Sequence, residues 1–272
     1  MARLIRDVLR GFYRGDGFFL AAGLSFYVVI CVVPFILLLV AGGGILLSDE
    51  TVVEEVVTRL IEVLPVYQEN VEQILGGVAR AKGTSGALGT AILLLFATQL
   101  FAATRFVLNR IFGMRGRTFL RGVLFDFVMI LVLILLFFAA MGVTAVFAWM
   151  QSMLGIFGRG PLFGALVAWA GLFLAIVLNA VLFGTVYRFV PIQRIPWSCL
   201  LAGSVTAAVL WEVAKQLFRL YIERVGVYSA VYGSLGVTIA LIMWVYYSAV
   251  VFVIGANVVC VLEERRRRPA EV

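Results

Sequence analysis

The sequence predicts an all-α integral membrane protein: a bundle of six transmembrane helices with both termini in the cytoplasm and a short amphipathic helical cap outside. Apolar residues make up 63% of the chain and charged residues only 14%, with a mean hydropathy of +1.08. A soluble domain carries about 25% charged residues to keep its surface in water. Apolar runs of about 20 residues recur along this chain, and basic residues gather on alternate connections between them.

Six apolar segments are long enough to cross a hydrocarbon core about 30 Å thick, at about 1.5 Å per helical residue. They are residues 20–47, 85–112, 120–150, 162–187, 197–222 and 235–262. Because one helical bundle takes up most of the chain, we predict a single membrane domain over residues 1–272.

The basic residues between the apolar segments set the orientation. Fifteen of them precede the first segment, follow the last one, or lie around the second and fourth connections, whereas five lie in the remaining connections. Loops rich in lysine and arginine stay in the cytoplasm, so we predict that both termini are cytoplasmic. The same residues suit anionic lipid headgroups. The expected partners are therefore the lipid bilayer and its cytoplasmic headgroups, and not nucleic acid.

Residues 51–82 form the one sizeable segment between predicted spans, and the orientation places it outside. Its apolar residues recur at helical spacing as far as Leu64, while charged residues take the other face. Pro65 ends or kinks this helix, and a second amphipathic stretch begins near Tyr67. We expect two short helices that cap the bundle, either by packing alone or as a lid over a cavity.

Polar and ionisable residues within the spans are the candidate site residues, because such groups in lipid mostly face a bundle interior or a water-filled space. Their depth along each helix divides them into two layers. The candidate outer cavity comprises Glu212, Lys215 and Arg219 together with Tyr228 and Tyr232 on the loop that follows, and the candidate inner cavity comprises Arg105, Asn109, Asp126, Asn179, Arg188 and Asn257. Two polar layers with a drier middle suit a channel or an alternating-access protein. They suit equally a stable bundle whose helix ends are wet.

The stretch WEVAKQLFRLY, residues 211–221, places Glu212, Lys215 and Arg219 on one helix face at spacings of three and four. One interpretation is structural: Glu212 and Lys215 neutralise each other, and Arg219 extends its stem to the outer headgroups. The other is functional: Glu212 is a proton or cation site, and Lys215 contacts an anion in a cavity. The sequence leaves both open.

The sequence lacks residues and motifs that catalytic and metal sites commonly use. The chain contains no histidine, which is the usual general base and the commonest zinc ligand. Cys31, Cys199 and Cys260 stand singly in apolar runs without CxxC spacing, which favours a packing role. No HExxH or GxSxG motif is present. We therefore predict no catalytic residues, no metal site and no cofactor, and classify the chain as a non-enzyme.

Small residues gather in the fifth and sixth apolar segments. They are Ala202, Gly203, Ser204, Ala207, Ala208, Gly233, Ser234, Gly236, Gly255 and Ala256. Small side chains let helix backbones approach closely in lipid, where no hydrophobic force joins the helices. We expect close helix packing at these positions, and the same faces permit a homo-oligomer.

Three stretches carry a family resemblance. AAGLSFYVVICVVPFILLLVA has a tyrosine before Pro34, YRFVPIQRIPWSCLLAGSVTAAVLWEVAKQLFRLY contains a Trp-Glu-x-x-Lys motif, and YSAVYGSLGVTIALIMWVYYSAVVFVIGANVVCVLE closes with Gly-Ala and Asn257. In that order they resemble the first helix, the fourth connection with the fifth span, and the last helix of the YihY/virulence factor BrkB family, which has also carried the label ribonuclease BN. Asn257 stands where the family usually has glutamate. Asparagine keeps the hydrogen bonding of that glutamate but loses its titratable group.

The resemblance implies a six-span protein of the bacterial inner (plasma) membrane, of a family described as transporters or as serum-resistance virulence factors. We therefore predict an inner-membrane transporter or exporter of an unidentified lipid-like, anionic or small polar solute. The alternative is a non-transporting membrane scaffold, or an envelope-integrity or virulence-associated protein. A lipid-modifying enzyme is a third hypothesis that shows no nucleophile–base pair. Ribonuclease activity is disfavoured because the chain has no histidine and no carboxylate cluster suited to two metals.

Overall fold

The computed structural model describes residues 2–31, 84–114, 132, 136, 161–191, 195–224 and 235–267. The regular secondary structure of those residues is helical, and its six long elements are α1 (Ala2–Arg14), α2 (Gly17–Cys31), α3 (Thr84–Ile111), α4 (Pro161–Phe189), α5 (Trp197–Arg224) and α6 (Leu235–Arg267). Three predicted features lie outside this part of the chain: the cap at 51–82, most of the span at 120–150, and the site residues Asp126, Tyr228 and Tyr232.

Helices α3 to α6 begin within one residue of the spans predicted from the sequence. Local signals explain the ends. Gly113 adopts φ +65° after α3, and Met114 N donates to Asn109 O at 2.8 Å, which closes the helix in a Schellman motif. α6 continues beyond the predicted end at 262 as far as Arg267, which bonds Glu263 one turn earlier at 2.7 Å.

Three of the described helices are long and apolar enough to cross a membrane. Their apolar segments are Trp169–Phe189, Trp197–Tyr221 and Ile239–Arg267. The count rises to four if α1 and α2, which are bent by 65° at their junction, form one broken span. The described residues therefore provide three or four candidate spans of the six predicted.

The first apolar segment begins earlier than expected and follows a separate helix. The prediction placed the first helix from residue 20, whereas α2 begins at Gly17 and α1 precedes it. Asp16 adopts φ 54° in the turn, a left-handed conformation that aspartate tolerates better than most residues. A Cβ at Gly17 would lie 2.5 Å from the Phe12 ring. Glycine at this position therefore lets the two helices fold sharply against each other.

Helix α6 lies at the centre of the described bundle. α5 packs along α6 and α4 packs along α5, while α1 and α3 contact α6 from other sides. Each neighbouring pair among α4, α5 and α6 runs antiparallel, as the contacts of Asn179 with Glu212 and of Tyr221 with Met243 show. The hydrophobic core follows these contacts and includes Leu200 and Val253.

The predicted close approach of small residues is confirmed where α5 crosses α6. A Cβ on Gly203 would lie 2.1 Å from Val259 Cγ2 and 2.9 Å from Gly255 O. A Cβ on Gly255 would lie 2.6 Å from Ala207 Cβ. Contacts this short leave no room for a side chain, so both glycines are required for the observed distance between the two backbones.

Candidate functional site

A buried carboxylate joins α4 to α5. Glu212 on α5 is 7% exposed, and its Oε1 has two partners. Asn179 Nδ2 on α4 donates to it at 3.0 Å, and Lys215 Nζ, one turn further along α5, lies 2.7 Å away. Asn179 Nδ2 also donates to Ala175 O at 2.9 Å. We refer to Asn179, Glu212 and Lys215 as the α4–α5 polar cluster, and it is the candidate functional site.

The antiparallel packing of α4 and α5 explains why these side chains meet. Arg188 of α4 and Trp197 of α5 lie beside each other at one end of the helix pair. Along the bundle axis, Glu212 lies farther from that end than Asn179 does. A helical side chain tilts towards the N-terminus of its own helix. Glu212 therefore reaches back towards the start of α5, and Asn179 reaches the opposite way towards the start of α4. The two tilts bring the amide and the carboxylate together.

The cluster lies deep within the apolar helices. Asn179 precedes the end of α4 at Phe189 by ten residues, or about 15 Å, which is half of a hydrocarbon core about 30 Å thick. From their depth along each helix, Asn179 was predicted to lie in the inner cavity and Glu212 in the outer cavity. Their hydrogen bond shows that this separation is wrong. Counting depth along the helix axis ignores the reach of the side chains.

Aromatic rings pack against one another around Trp211, the residue before Glu212. The ring centroids of Phe183 and Trp211 lie 5.9 Å apart, those of Trp211 and Trp244 5.3 Å apart, and those of Phe218 and Trp244 4.8 Å apart. These contacts join α4, α5 and α6 next to Glu212. The other end of the cluster is more open, since the side chain of Lys215 is 39% exposed. The site thus combines a buried carboxylate with a partly exposed ammonium group.

Tyr187 is a buried polar residue that the sequence analysis did not select. Its hydroxyl donates to Phe252 O at 2.7 Å, and a Cβ on Gly255 would lie 2.4 Å from its Oη. Its ring lies 5.1 Å from that of Phe252 and 6.1 Å from that of Phe183. Tyr187 therefore joins α4 to α6 across the glycine contact. A tyrosine in the last turn of an apolar helix was the only sequence signal for this role.

Two predicted inner residues make contacts in different parts of the fold. Arg188 Nη1 donates to Ile195 O, and the guanidinium carbon lies 5.0 Å from the Trp197 ring centroid. Arg188 therefore holds the connection between α4 and α5. Asn257 is buried on α6, where its Nδ2 donates to Val253 O at 2.9 Å and its Oδ1 faces Gly11 of α1. These contacts do not bring the two residues into one cavity.

The remaining described candidates lie outside the α4–α5 polar cluster. Asn109, near the end of α3, is 6% exposed, and its Oδ1 has no hydrogen-bond donor within the described part of the chain. Arg105 is half-buried one turn before it. Arg219 is exposed on α5, and its Nη2 donates to Gln216 Oε1 at 2.7 Å. In the residues that the structure describes, no group of three or more cysteine, aspartate or glutamate side chains could hold a metal ion.

Charged contacts also mark the end of α6. Arg265 forms an ion pair with Asp7 of α1, and Arg266 Nη1 donates to Ser198 Oγ of α5 at 3.1 Å. The hydrogen bond from Arg265 lowers the pKa of Asp7 below its ordinary value of 3.8. The last turns of α6 are therefore attached to both α1 and α5.

The family is shown by a match along nearly the whole chain. The family described as virulence factor BrkB matches residues 8–271. This chain belongs to the virulence factor BrkB family. It is a membrane protein, in agreement with the apolar helices that the structure shows.

Individual relatives match over shorter segments. The chain is 38% identical over 99 residues to a UPF0761 membrane protein of Idiomarina loihiensis, covering 36% of this chain and 35% of that one. It is 40% identical over 88 residues to a UPF0761 membrane protein of Psychromonas ingrahamii, covering 32% and 30%. It is 28% identical over 131 residues to the Bacillus subtilis protein YfkH, which is named ribonuclease-like, covering 44% and 48%. No solved structure matches the chain.

These matches span less than half of the length of each relative. Two of the three names describe membrane location and no activity. Neither the relatives nor their names therefore supply a reaction or a solute for this chain, and its function rests on the geometry of its own residues.

Proposed function

We propose that the protein is an inner-membrane transporter or exporter of a lipid-like, anionic or small polar solute, with the α4–α5 polar cluster as its polar site. The observation that carries this proposal is the Glu212 carboxylate, which is buried between two helices at mid-depth and bonded to Asn179 across them. Ionisable groups in the middle of apolar helices are costly, and they mostly mark solute, ion or proton pathways.

The two ends of the cluster divide the work of such a site. The buried carboxylate binds a proton or a cation, and the ammonium group of Lys215, which is 39% exposed, meets an anionic group of the solute. Both donors of the cluster, Asn179 Nδ2 and Lys215 Nζ, contact the same oxygen of Glu212. A change in the charge of that oxygen therefore acts on two helices at once, which is what a coupled conformational change requires.

The proposal includes the six-span arrangement, with both termini cytoplasmic in a bacterial inner membrane and residues 51–82 outside. The distribution of basic residues supports it. Fusions of alkaline phosphatase after residues 70, 117, 159 and 193 test it, because the enzyme is active only outside the cytoplasm. Activity is expected at 70 and 159 and not at 117 and 193. Activity at 117 or 193 would contradict this topology.

Cysteine accessibility tests the site without a known solute. Cys31, Cys199 and Cys260 are replaced by alanine, and single cysteines are introduced at Asn179, Val209, Glu212, Lys215 and Leu217. Intact cells with a permeabilised outer membrane are then treated with a membrane-impermeant thiol reagent. Labelling is expected at 212 and 215, because a transport site must reach water. Positions 209 and 217 serve as matched controls: both are exposed on apolar faces of α5 and are expected to stay unlabelled in lipid.

A second candidate function is a non-transporting scaffold that supports envelope integrity. It is favoured by the pairing of Glu212, whose Oε1 contacts both an amide and an ammonium group. A buried carboxylate paired in this way also suits a purely structural contact. Protection of positions 179, 212 and 215 from the thiol reagent would overturn the transport proposal and favour the scaffold.

The neutral variant Glu212→Gln separates the two functions further. A transporter is expected to keep its fold when Glu212 loses its charge, because Asn179 and Lys215 still meet an amide oxygen. A scaffold that depends on the ion pair loses thermal stability. The readouts are the size-exclusion profile and the midpoint of thermal unfolding in detergent, with Gln216→Glu as a control that alters charge on the exposed side of α5.

The proposal does not include catalysis or nucleic-acid binding. The absence of histidine from the sequence supports this view, because histidine is the usual general base in hydrolysis of RNA. The ribonuclease-like name belongs to a relative that is 28% identical over a part of its length. A homo-oligomer is compatible with the exposed small and apolar helix faces, and cross-linking in native membranes tests it.

A further inference from the structure

Helix α1 has three distinct faces. The first packs on α6 and consists of Val8, Gly11, Phe12 and the half-buried Leu4. The second is an apolar stripe of Ile5, Leu9 and Tyr13, which are 57%, 48% and 67% exposed. The third carries Arg3, Arg6, Arg10 and Arg14, all of which are exposed. At 100° per residue, the four arginines occupy an arc of about 80° beside the apolar stripe.

The contacts of α1 fix its level on the bundle. Val8 packs against Val258 and Val261 near the end of α6, and Asp7 pairs with Arg265. At this level α6 changes from apolar residues to the charged run that begins at Glu263. That change in composition is expected where a helix leaves the hydrocarbon for the headgroup region. α1 therefore lies at the boundary between hydrocarbon and water.

The junction with α2 sets the direction of α1. The two helices are bent by 65° at the turn formed by Gly15 and Asp16. If α2 follows the bundle axis across the membrane, α1 lies closer to the membrane plane than to its normal. A helix in that plane, with an apolar stripe beside a basic face, has the form of an interfacial amphipathic helix.

We infer that α1 is an interfacial helix that binds the anionic phospholipids of the leaflet in which α6 ends. Its apolar stripe enters the boundary between headgroups and acyl chains, and its arginines bind phosphate groups. The charge of the surface selects this occupant. Four arginines lie on the exposed basic face, and Arg266 and Arg267 are exposed at the end of α6. The only described acidic residue on α1, Asp7, is already paired with Arg265. This inference is independent of the transport proposal.

A spin label on α1 tests the inference in the full chain. Cys31, Cys199 and Cys260 are replaced by alanine, and a nitroxide is attached at Leu9→Cys. The protein is reconstituted into vesicles of phosphatidylcholine alone or of equimolar phosphatidylglycerol and phosphatidylcholine. Collisions with the neutral, water-soluble complex of nickel with ethylenediaminediacetate then report exposure to water. A neutral reagent is needed because the membrane charge differs between the two vesicles.

The collision rate at residue 9 is expected to fall at least threefold from neutral to anionic vesicles. The same label at Val209, on an apolar face of α5, serves as a control whose collision rate does not depend on lipid charge. Arg10→Gln is expected to weaken the binding of α1 to the anionic lipid surface by about fivefold, the contribution of one arginine near such a surface. Arg10→Lys keeps the charge and is expected to retain this binding to anionic lipid. Arg110→Gln, which removes an exposed arginine from α3, leaves the label at residue 9 unchanged.

Two results would overturn the inference. Equal collision rates at residue 9 in the two kinds of vesicle would show that α1 does not respond to anionic lipid, whether it is covered or exposed in both. Protection by an RNA homopolymer in detergent, equal to that by anionic vesicles, would show that the basic face binds nucleic acid. Failure of thiol labelling at Glu212 would leave this inference standing, because the two sites share no residues.

Discussion

The amide of Asn179 and the carboxylate of Glu212 meet at 3.0 Å between α4 and α5, about halfway through the apolar part of the bundle. Arg188 and Trp197 form a second contact at the connection between the same helices. Because these two contacts lie at different levels, they fix the position of α4 along the axis of α5. The Asn179 contact is the one that also involves a buried charge.

Replacement of Asn179 by alanine tests the energy of that contact. The variant removes one hydrogen bond to a buried carboxylate, and we expect a loss of about 1–2 kcal/mol of stability, the upper range for polar contacts between membrane helices. Thermal unfolding in detergent measures it. A double-mutant cycle with Glu212→Ala, which removes the acceptor, is expected to show coupling between the two positions.

Thr185→Val provides the matched control for Asn179→Ala. Thr185 lies on the same helix, and its hydroxyl donates to Val181 O within α4. Its removal breaks no contact between helices and is expected to change stability by less than about 0.5 kcal/mol. Equal losses for the two variants, or additive effects of Asn179→Ala and Glu212→Ala, would contradict the role given to the Asn179–Glu212 bond.

Replacement of Gly255 by alanine tests the close approach of α5 to α6. The new methyl group would lie 2.4 Å from Tyr187 Oη and 2.6 Å from Ala207 Cβ, so the helices must move apart. We expect a loss of about 1–3 kcal/mol, typical of an overpacked core. Addition of Tyr187→Phe removes one of the two clashing atoms and should recover part of the loss.

Gly23→Ala is the control for the effect of alanine itself. Among the residues that the structure describes, no atom would lie within 4 Å of a Cβ at Gly23. Alanine favours a helix over glycine by up to about 1 kcal/mol, so this variant is expected to be neutral or more stable. The steric explanation fails if Gly23→Ala and Gly255→Ala shift the unfolding midpoint in the same direction by similar amounts.

Replacement of Asn257 by glutamate restores the residue that the resemblance to the family predicts at this position. Asn257 is buried, and its Oδ1 lies 3.3 Å from where a Cβ on Gly11 would be. An ionised carboxyl group would bring an uncompensated charge into this buried contact, whereas its protonated form would not. We therefore expect the variant to lose more stability at a pH where the carboxyl group is ionised.

Unfolding midpoints of Asn257→Glu measured at about pH 5 and about pH 8 test this expectation, with the larger loss at the higher pH. Asn257→Gln, which has the same length without the charge, is expected to show no such dependence. A pH-independent loss in both variants would indicate that size alone causes the effect. That outcome would show that the contact between α1 and α6 responds to the volume of the side chain at residue 257 and not to its charge.

The ion pair of Asp7 with Arg265 should make the packing of α1 on α6 depend on pH. Because the pKa of Asp7 is lowered from 3.8 in the folded state, the pair contributes stability above pH 3.8, which is lost as pH falls through the lower folded value. Asp7→Asn is expected to reproduce the acid state at neutral pH. The mobility of a spin label at Leu9 measures how firmly α1 is held on α6. Asp16→Asn, in the α1–α2 turn, serves as the control.

The helix boundaries could be predicted because hydropathy and length are properties of local sequence. α4, α5 and α6 begin where the apolar segments begin, since lipid leaves the backbone no alternative to a helix there. The pairing of Glu212 with Lys215 was also predictable, because a spacing of three places both on one face. The close approach at Gly203 and Gly255 followed from the size of the residues.

The predicted division into outer and inner cavities failed at Asn179 and Glu212. Nothing in the sequence shows which residue of a neighbouring helix lies opposite a given one, because the relative displacement of two helices depends on packing along their whole length. Tyr187 was missed for the same reason. Its role requires Gly255 on another helix to leave space for its hydroxyl.

The sequence by itself determined that the chain is a helical membrane protein, where several helices lie, and which face of α5 is charged. Periodicity and hydropathy suffice for these because they act along one helix. Only the tertiary structure decided the partners of Glu212, the contact of Tyr187 with α6, and the docking of α1 that leaves its apolar and basic faces exposed. Those features depend on distances between residues far apart in the chain, which no local pattern encodes.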